Sequence, residues 1–417
     1  ERAAQADTTS ALAQTNLALW HEKDRQLDQA WEVIQTCLAA HPADAFAQYV
    51  KALLLHRKGL NTEAENLARD LIQRDPPDAN VRISSRHLLA ELLDDAGQYA
   101  EALQQLWAAK DQVRRTANVA QMERDYDRAD ARRRELLAAF TPGTIARWRQ
   151  EAPAARESFQ LAFLGGHPRS GTTLLEQILG AHPDIRAFDE PEAFATQIWG
   201  QLAPMNAPQP LSFRDLNSLS PARREEMRRR YLKSLFREVH GGSTAKVMLV
   251  KNPSATMALH LWLRIFPELK VIIAIRDPRD VLISCLFQNL ALTTTNANFL
   301  SLERAVKHYT DLMDGWLRLR DLGGFDWIQV RYRDVVRGLE SEGQRATDFL
   351  KMPWHEAQAK FQESARQKFL HSPTYQDVTK PVQAQSVDRW KNYAEALQPF
   401  QARLASYCRE FGFAEHG

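Results

Sequence analysis

The chain has 417 residues, a formal net charge of +2, and 44% hydrophobic and 25% charged residues. That length exceeds one ordinary domain, and the balance is that of a globular protein. The near-neutral charge gives no case for nucleic acid or an anionic membrane as partner, and no run approaches the roughly 18 apolar residues of a membrane span. Cys37, Cys285 and Cys408 are an odd number without metal-ligand spacing, which speaks against a disulfide framework and for a reducing compartment. No signal peptide is visible, and a chain opening on Glu1 reads as trimmed.

The first segment repeats itself. Ala30, Ala64 and Ala102 hold equivalent places in "LDQAWEVI", "NTEAENLA" and "YAEALQQL", the first two 34 residues apart and the third four residues late. Pro42 and Pro76 share that spacing, as do Asp44 and Asp78. Each unit reads as two amphipathic helices with a small residue where they cross closely. Period and anatomy are tetratricopeptide-like, although the tryptophan and glycine signature residues are mostly missing. Such a stack either offers a protein-binding concave face or braces its neighbour. The repeats are expected over 1–110 and a charged helical connector over 111–154. The basic runs at 132–136 and 223–230 read as solvated helix faces.

From 155 to 417 the pattern changes to short apolar runs between amphipathic helices. The runs at 159–166, 246–250, 270–275 and 326–332 predict buried parallel strands, each feeding a helix. The expected architecture is therefore all-α repeats followed by a P-loop-type α/β domain. Its functional loops belong at the carboxyl ends of the strands.

The first of these strands opens "FLGGHPRSGTTLLEQILGAHPDIRAFDE" (163–190). Counted from Gly166, the spacing is that of a nucleotide-triphosphate loop, but Thr172 stands where the lysine would be. Strand, tight turn and helix N-terminus still make an anion cradle. The N–H groups from Ser170 through Gly171 and Thr172 to Thr173, with both threonine hydroxyls, would face one phosphate. Arg169 lies beside it. Without the lysine, and with no convincing magnesium-binding aspartate at a strand end, a kinase or ATPase fits poorly. Past the strand at 270–275, Arg276 and, eight residues on, Ser284 can converge on a second phosphate.

Separate 5′ and 3′ phosphates on one nucleotide describe 3′-phosphoadenosine 5′-phosphosulfate (PAPS), with the 3′,5′-bisphosphate (PAP) as product. "PRSGTT" followed by "RDPRDVLIS" resembles the PAPS-dependent sulfotransferases over about 158–417. "FDEPE", "VKNPSA" and "SPTYQDVTKPVQAQSVDRWKNY" are most similar to tyrosylprotein sulfotransferases and their bacterial repeat-bearing relatives. The resemblance implies a phosphosulfate loop at Arg169–Thr173 and a 3′-phosphate site at Arg276 and Ser284. It further implies Tyr332 near the adenine and Lys380 in a C-terminal cofactor loop.

Sulfuryl transfer requires a base for the acceptor hydroxyl and fixed positive charge for the departing phosphate. Glu190 matches the catalytic glutamate of the tyrosylprotein enzymes. Asp189 reads instead as a helix cap. Lys251, closing the strand at 246–250, is the cation for the bridging oxygen, with Arg169 on the sulfuryl oxygens. The histidine base of the small-phenol branch is missing, its place taken by Pro253. His167 and His182 read as loop and helix-end residues. No metal site is expected.

The resemblance implies a tyrosine of a peptide or protein as acceptor, with a small-molecule, sugar or lipid hydroxyl as the alternative. The segment 201–245, with its "RREEMRRR", is expected to cover the acceptor cleft. A non-catalytic repeat scaffold is disfavoured because the site residues are intact. A bacterial cytoplasm is the expected location.

Overall fold

The thirty-four-residue spacing reappears as helix starts. In the computed structural model, which describes residues 10–152, 157–203, 210–237, 244–363 and 386–413, three helical hairpins follow one another. They are α1 (Ala11–Lys23) with α2 (Leu27–Ala40), α3 (Ala45–Arg57) with α4 (Asn61–Arg74), and α5 (Ala79–Asp95) with α6 (Tyr99–Thr116). Ala30, Ala64 and Ala102 are all fully buried, as a close crossing requires. Asp44 and Asp78 turn out to be the N-caps of α3 and α5. Their carboxylates accept from Ala47 N–H at 2.7 Å and Asn80 N–H at 2.8 Å, a contact typically worth about 1 kcal/mol. The late third repeat has a simple cause. α5 runs for 17 residues where α1 and α3 run for 13, one extra turn before the hairpin closes.

These hairpins belong to one of two compact units, comprising Glu1–Glu123, Ile283–Arg304 and Asn392–Ala396. Two later stretches therefore return to the helical unit. Asn289 donates to the Ser84 hydroxyl at 3.1 Å, and the Tyr393 hydroxyl donates to Asp94.

The second unit comprises Arg124–Leu282, Ala305–Lys391 and Leu397–Gly417. Its centre is a parallel sheet of β1 (Gln160–Gly166), β2 (Ile185–Asp189), β3 (Val247–Lys251), β4 (Lys270–Ile275) and β5 (Asp326–Arg331). The strand order is β2-β3-β1-β4-β5. β1 is central, and the chain leaves it first to one side and later crosses to the other, which puts the switch point at its carboxyl end. The four strands expected from apolar runs are all present. β2 is an addition: "IRAFD" on the sheet edge buries only Ile185 and Phe188, too few for an apolar run.

Beside the sheet, α7 (Val119–Ala138), α8 (Thr144–Gln150), α9 (Thr172–Gly180), α10 (Pro221–Arg237), α11 (Leu259–Ile265), α12 (Pro278–Leu286), α13 (Leu302–Leu322), α14 (Tyr332–Arg337) and α15 (Leu339–Phe349) follow in chain order. Leu175, Ile178 and Leu179 of α9 share one core with Ala162, Leu164, Leu249 and Ile272 of the sheet. That burial locks the start of α9 to the end of β1. On the other hand, α7 and α13 meet through charge, with buried Arg133 donating to Asp130 and to the Asp311 carbonyl at 2.6 Å.

Buried histidines give this fold an acid limit. His260 of α11 is fully enclosed, and burial, aided by the Arg133 charge, pushes it down to about 3 from 6.5. His87 is likewise lowered to about 3, chiefly by burial. Below pH 6.5 the unfolded chain takes up protons that the native chain refuses, so stability falls with pH from there towards 3. For His260 alone the loss at pH 5 is about 2 kcal/mol. Thermal unfolding at pH 7 and pH 5 is expected to show a clear drop that His260→Phe reduces. An equal drop in the variant rules out this account.

Candidate active site

Every loop of interest leaves the carboxyl end of a strand. Gly166, the last residue of β1, has φ 129°, and a Cβ there would collide with the Ala274 carbonyl of β4. Its N–H donates to the Thr256 hydroxyl at 2.8 Å, and that hydroxyl donates back to the Gly166 carbonyl at 3.1 Å. The turn closes with Ser170 N–H on the His167 carbonyl at 3.1 Å. Gly171, at φ 92°, then starts α9 without a side-chain cap. A helix start without a side-chain cap directs its backbone dipole towards an anion. Ser170, Thr172 and Thr173 are buried around that start.

The neighbouring strands add charge. Register pairs Leu164 of β1 with Lys251 of β3, and Lys251 with Asp189 of β2, so the three strand ends lie side by side. Lys251 is completely buried and ion-paired to both Asp189 and Glu190, the latter at 2.9 Å. Burial by itself would lower its pKa. The carboxylates of Glu176, Glu190 and Asp189 outweigh that, and the ammonium is held above its ordinary range. Glu190 takes a left-handed φ of 50° and donates its N–H to the Lys251 carbonyl at 2.8 Å. Its side chain remains 48% exposed, open to an acceptor, while Lys251 is sealed.

Asp189 is not the helix cap expected from the sequence. It ends β2, and its carboxylate pairs with Lys251; the helical segment after it begins at Ala193. A capping signal is local, whereas this partner arrives from 62 positions along the chain, and the buried ammonium wins. Sequence reasoning also missed Glu176. Its signal was one acid inside "TTLLEQIL", a helix otherwise buried on all sides.

Arg276 follows β4 directly. Its guanidinium donates to the Arg169 carbonyl at 3.1 Å and to the Ser386 carbonyl at 2.5 Å, and lies 5.0 Å from the Tyr332 ring centre. Its Nε is buried with no hydrogen-bond partner among the described residues, leaving one donor for an anion. Tyr332 opens α14, and its ring packs on the bare α-carbon of Gly171. Asp277 pairs with Arg279 at 2.7 Å. Asp280 accepts from the N–H groups of Asp388 and Trp390, both at 2.9 Å. Ser284 is buried in α12, within the stretch counted with the helical unit. Lys380 lies outside the described residues. No group of three or more His, Cys, Asp or Glu able to hold a metal occurs among the described residues.

An uncapped helix start, a glycine turn and an arginine with an unused donor suit a phosphorylated nucleotide, and comparison with known proteins agrees. Residues 162–356 match the model of the sulfotransferase family. Protein-tyrosine sulfotransferase 1 of Danio rerio is 26% identical over 61% of this chain and 73% of its own length. An uncharacterized protein of Aquifex aeolicus is 25% identical over 90% of this chain, the alignment spanning 47% of that protein. A solved structure, the sulfotransferase domain from the Synechococcus PCC 7002 olefin synthase, has 19% identity over 60% of this chain and 97% of its own, with a TM-score of 0.39.

Residues 162–356 therefore belong to the sulfotransferase family, an enzyme class, and the domain is that of a PAPS-dependent sulfotransferase.

The loop geometry sets a first test. An alanine at 171 would need a left-handed φ and would collide with Tyr332. Wild type is expected to gain about 2.7 kcal/mol from 3′,5′-adenosine bisphosphate at a hundred times its Kd. Gly171→Ala and Arg276→Ala are both expected to lose most of that gain in a thermal-shift titration. Full stabilisation of either variant places the nucleotide elsewhere.

Proposed function

We propose that this protein transfers a sulfuryl group from PAPS to an acceptor hydroxyl, and that the hydroxyl belongs to a small molecule, sugar or lipid. The observation that carries the reading is the row of strand ends. Glu190 follows β2, Lys251 ends β3 and the Arg169–Thr173 loop follows β1, and these strands are adjacent in that order. Bound at the loop, PAPS supplies the sulfuryl group and a bisphosphate leaving unit.

The chain's own residues then have distinct tasks. The α9 N-terminus, Thr172 and Thr173 hold the 5′-phosphate, while Arg276 and Ser284 hold the 3′-phosphate. Tyr332 is assigned to the adenine and, from the resemblance alone, Lys380 to the cofactor. Glu190, half exposed, accepts the proton of the acceptor hydroxyl. Lys251 and Arg169 meet the negative charge that develops on the departing side. Asp189 leaves Lys251 a second carboxylate, so the ammonium stays compensated when Glu190 turns to the acceptor.

The choice of acceptor turns on the basic run "RREEMRRR" of α10, the feature that would have suited an acidic tyrosine peptide. Three of its five arginines are ion-paired within the protein. Arg228 is bound bidentately by Glu157 at 2.8 and 2.7 Å and by Glu268 at 2.6 Å. Arg223 and Arg230 share Glu226, at 3.1 and 2.5 Å. Arg224 is buried. With most of its positive charge paired or buried, the helix offers a reduced field to an acidic partner.

A tyrosine in a peptide is the second reading. It is supported by relatives from zebrafish, Caenorhabditis elegans and Drosophila that are named protein-tyrosine sulfotransferases. They are 24–27% identical, and the alignments cover between 46% and 73% of their lengths. Tetratricopeptide-like behaviour of the helical hairpins, a protein contact through them, and a bacterial cytoplasmic location belong to the same proposal. No helix among the described residues is long and apolar enough to cross a membrane.

Two measurements test the reading. Bisphosphate without metal is expected to stabilise the protein and ADP with magnesium is not; equal stabilisation by both reopens a kinase. In sulfation assays with a phenol, a sugar and an acidic tyrosine peptide, product is expected with the small molecules. Product with the peptide alone selects the second reading. Glu190→Gln is expected to lower turnover by about 10²- to 10⁴-fold with bisphosphate binding retained. Unchanged turnover removes Glu190 from the role of base.

A further inference from the structure

Arg169 has a side chain and a φ of 72°. For such a residue the left-handed region costs on the order of 1 kcal/mol, and it persists only where the surroundings impose it. Both peptide planes beside Arg169 are held. On the carboxyl side, Arg276 donates to the Arg169 carbonyl at 3.1 Å. On the amino side, the Pro168 carbonyl belongs to the peptide that ends at the Arg169 nitrogen, and it accepts from His167 Nδ1 at 2.7 Å.

That contact fixes the state of two rings. A carbonyl can only accept, so His167 carries its proton on Nδ1, and its Nε2 is an acceptor. Nε2 lies 2.8 Å from Nδ1 of His308, which must donate. Both rings are fully buried. Burial lowers His167 to about 4, so the ring is neutral near pH 7. His308 belongs to α13, meets His167 edge-on at 4.9 Å, and lies 5.6 Å from the Tyr126 ring of α7. Tyr309 packs on His167 at 5.1 Å. The ring is therefore anchored by rigid helices rather than by its own loop.

We propose that His167, oriented by His308, is a positioning residue: it pins the Pro168–Arg169 peptide and so aims the Arg169 guanidinium. The inference rests on the phosphosulfate reading of the loop. An apolar residue at 167 would fill the space but leave the carbonyl free to swing and Arg169 free to relax. Asparagine can still present a donor to the same carbonyl.

The test compares His167→Ala, His167→Asn and His308→Leu with wild type, using PAPS as the only substrate and water as acceptor. Release of bisphosphate gives kcat, and calorimetry with bisphosphate gives Kd. His167→Ala is expected to lower kcat about tenfold or more, the size of effect a small misplacement produces. Its bisphosphate Kd should change far less, because that ligand lacks the sulfuryl oxygens. His167→Asn is expected to restore most of kcat, and His308→Leu to fall between. A crystal structure of His167→Ala is expected to show Arg169 outside the left-handed region.

A His167→Ala protein with a lower melting point but wild-type kcat reduces the pair to packing and overturns the proposal. So does an Arg169 that keeps its conformation, or an asparagine variant as slow as the alanine. If the alanine variant does not fold, His167→Leu takes its place against His167→Asn. Failure of wild type to bind bisphosphate at all would instead strike the phosphosulfate reading, which separates the two.

Discussion

The site depends on one guanidinium. Arg276, placed at the mouth of β4 by a strand buried on both faces, reaches the backbone of the β1 loop, stacks on Tyr332 from the end of β5, and donates to Ser386. Tyr332 in turn lies on Gly171, where a Cβ would collide with its ring. Three loops distant in sequence are thus set by mutual contact. Arginine suits this position because a planar fork can satisfy several carbonyls and still present an edge to a phosphate. Lysine, a point charge, could not stack and bridge together.

A second constraint is charge at Lys251. One buried ammonium faces Glu176, Asp189 and Glu190, and all three raise its pKa despite burial. An uncompensated charge at such depth would cost several kcal/mol, so at least one carboxylate must stay with it. Asp189, on the strand next to β3, is the one held by backbone register. That leaves Glu190, strained in the left-handed region and half exposed, as the partner able to leave. Two adjacent carboxylates thereby differ in freedom because they differ in burial, a division that neither residue's chemistry alone would set.

How much of this was legible follows from the range of each signal. The helical hairpins were readable because a repeat states its period three times, and the late third repeat proved to be one added turn in α5. β1, β3 and β4 were readable as apolar runs bounded by turns, because central parallel strands bury both faces, and β5, on the other edge, was readable from Trp327, Ile328 and Val330. β2 was not, since an edge strand of five residues with two buried side chains carries too little pattern. The turn between β1 and α9 was readable because its glycines, threonines and arginine are contiguous. Asp189 was misread for the opposite reason: its local context resembles a cap, and only the fold brings Lys251 to it. The basic run of α10 looked like a solvated face, yet Arg224 and Arg228 are buried or paired with Glu157 and Glu268, which no window of sequence contains. His167 and His308, 141 positions apart, gave no signal at all.

The missing lysine of the loop follows from the same geometry. In a triphosphate loop the lysine rises from the helix start towards the terminal phosphates. Here Thr172 occupies that place and stays buried at the helix start. Positive charge comes instead from Arg169, one step before the turn, and from Lys251 across the neighbouring strand. On the proposed reading, a cation at the front of the loop would face a group carried on the 5′-phosphate, whereas one at its back would follow a longer phosphate chain. Moving the charge forward requires the chain to pass through a left-handed residue just before Ser170 and Gly171. A glycine would take that conformation freely but would bring no guanidinium. The loop therefore carries a strained arginine, and the conformation must be supplied by its neighbours: the Arg276 bond to one peptide plane, and the buried histidine bond to the other.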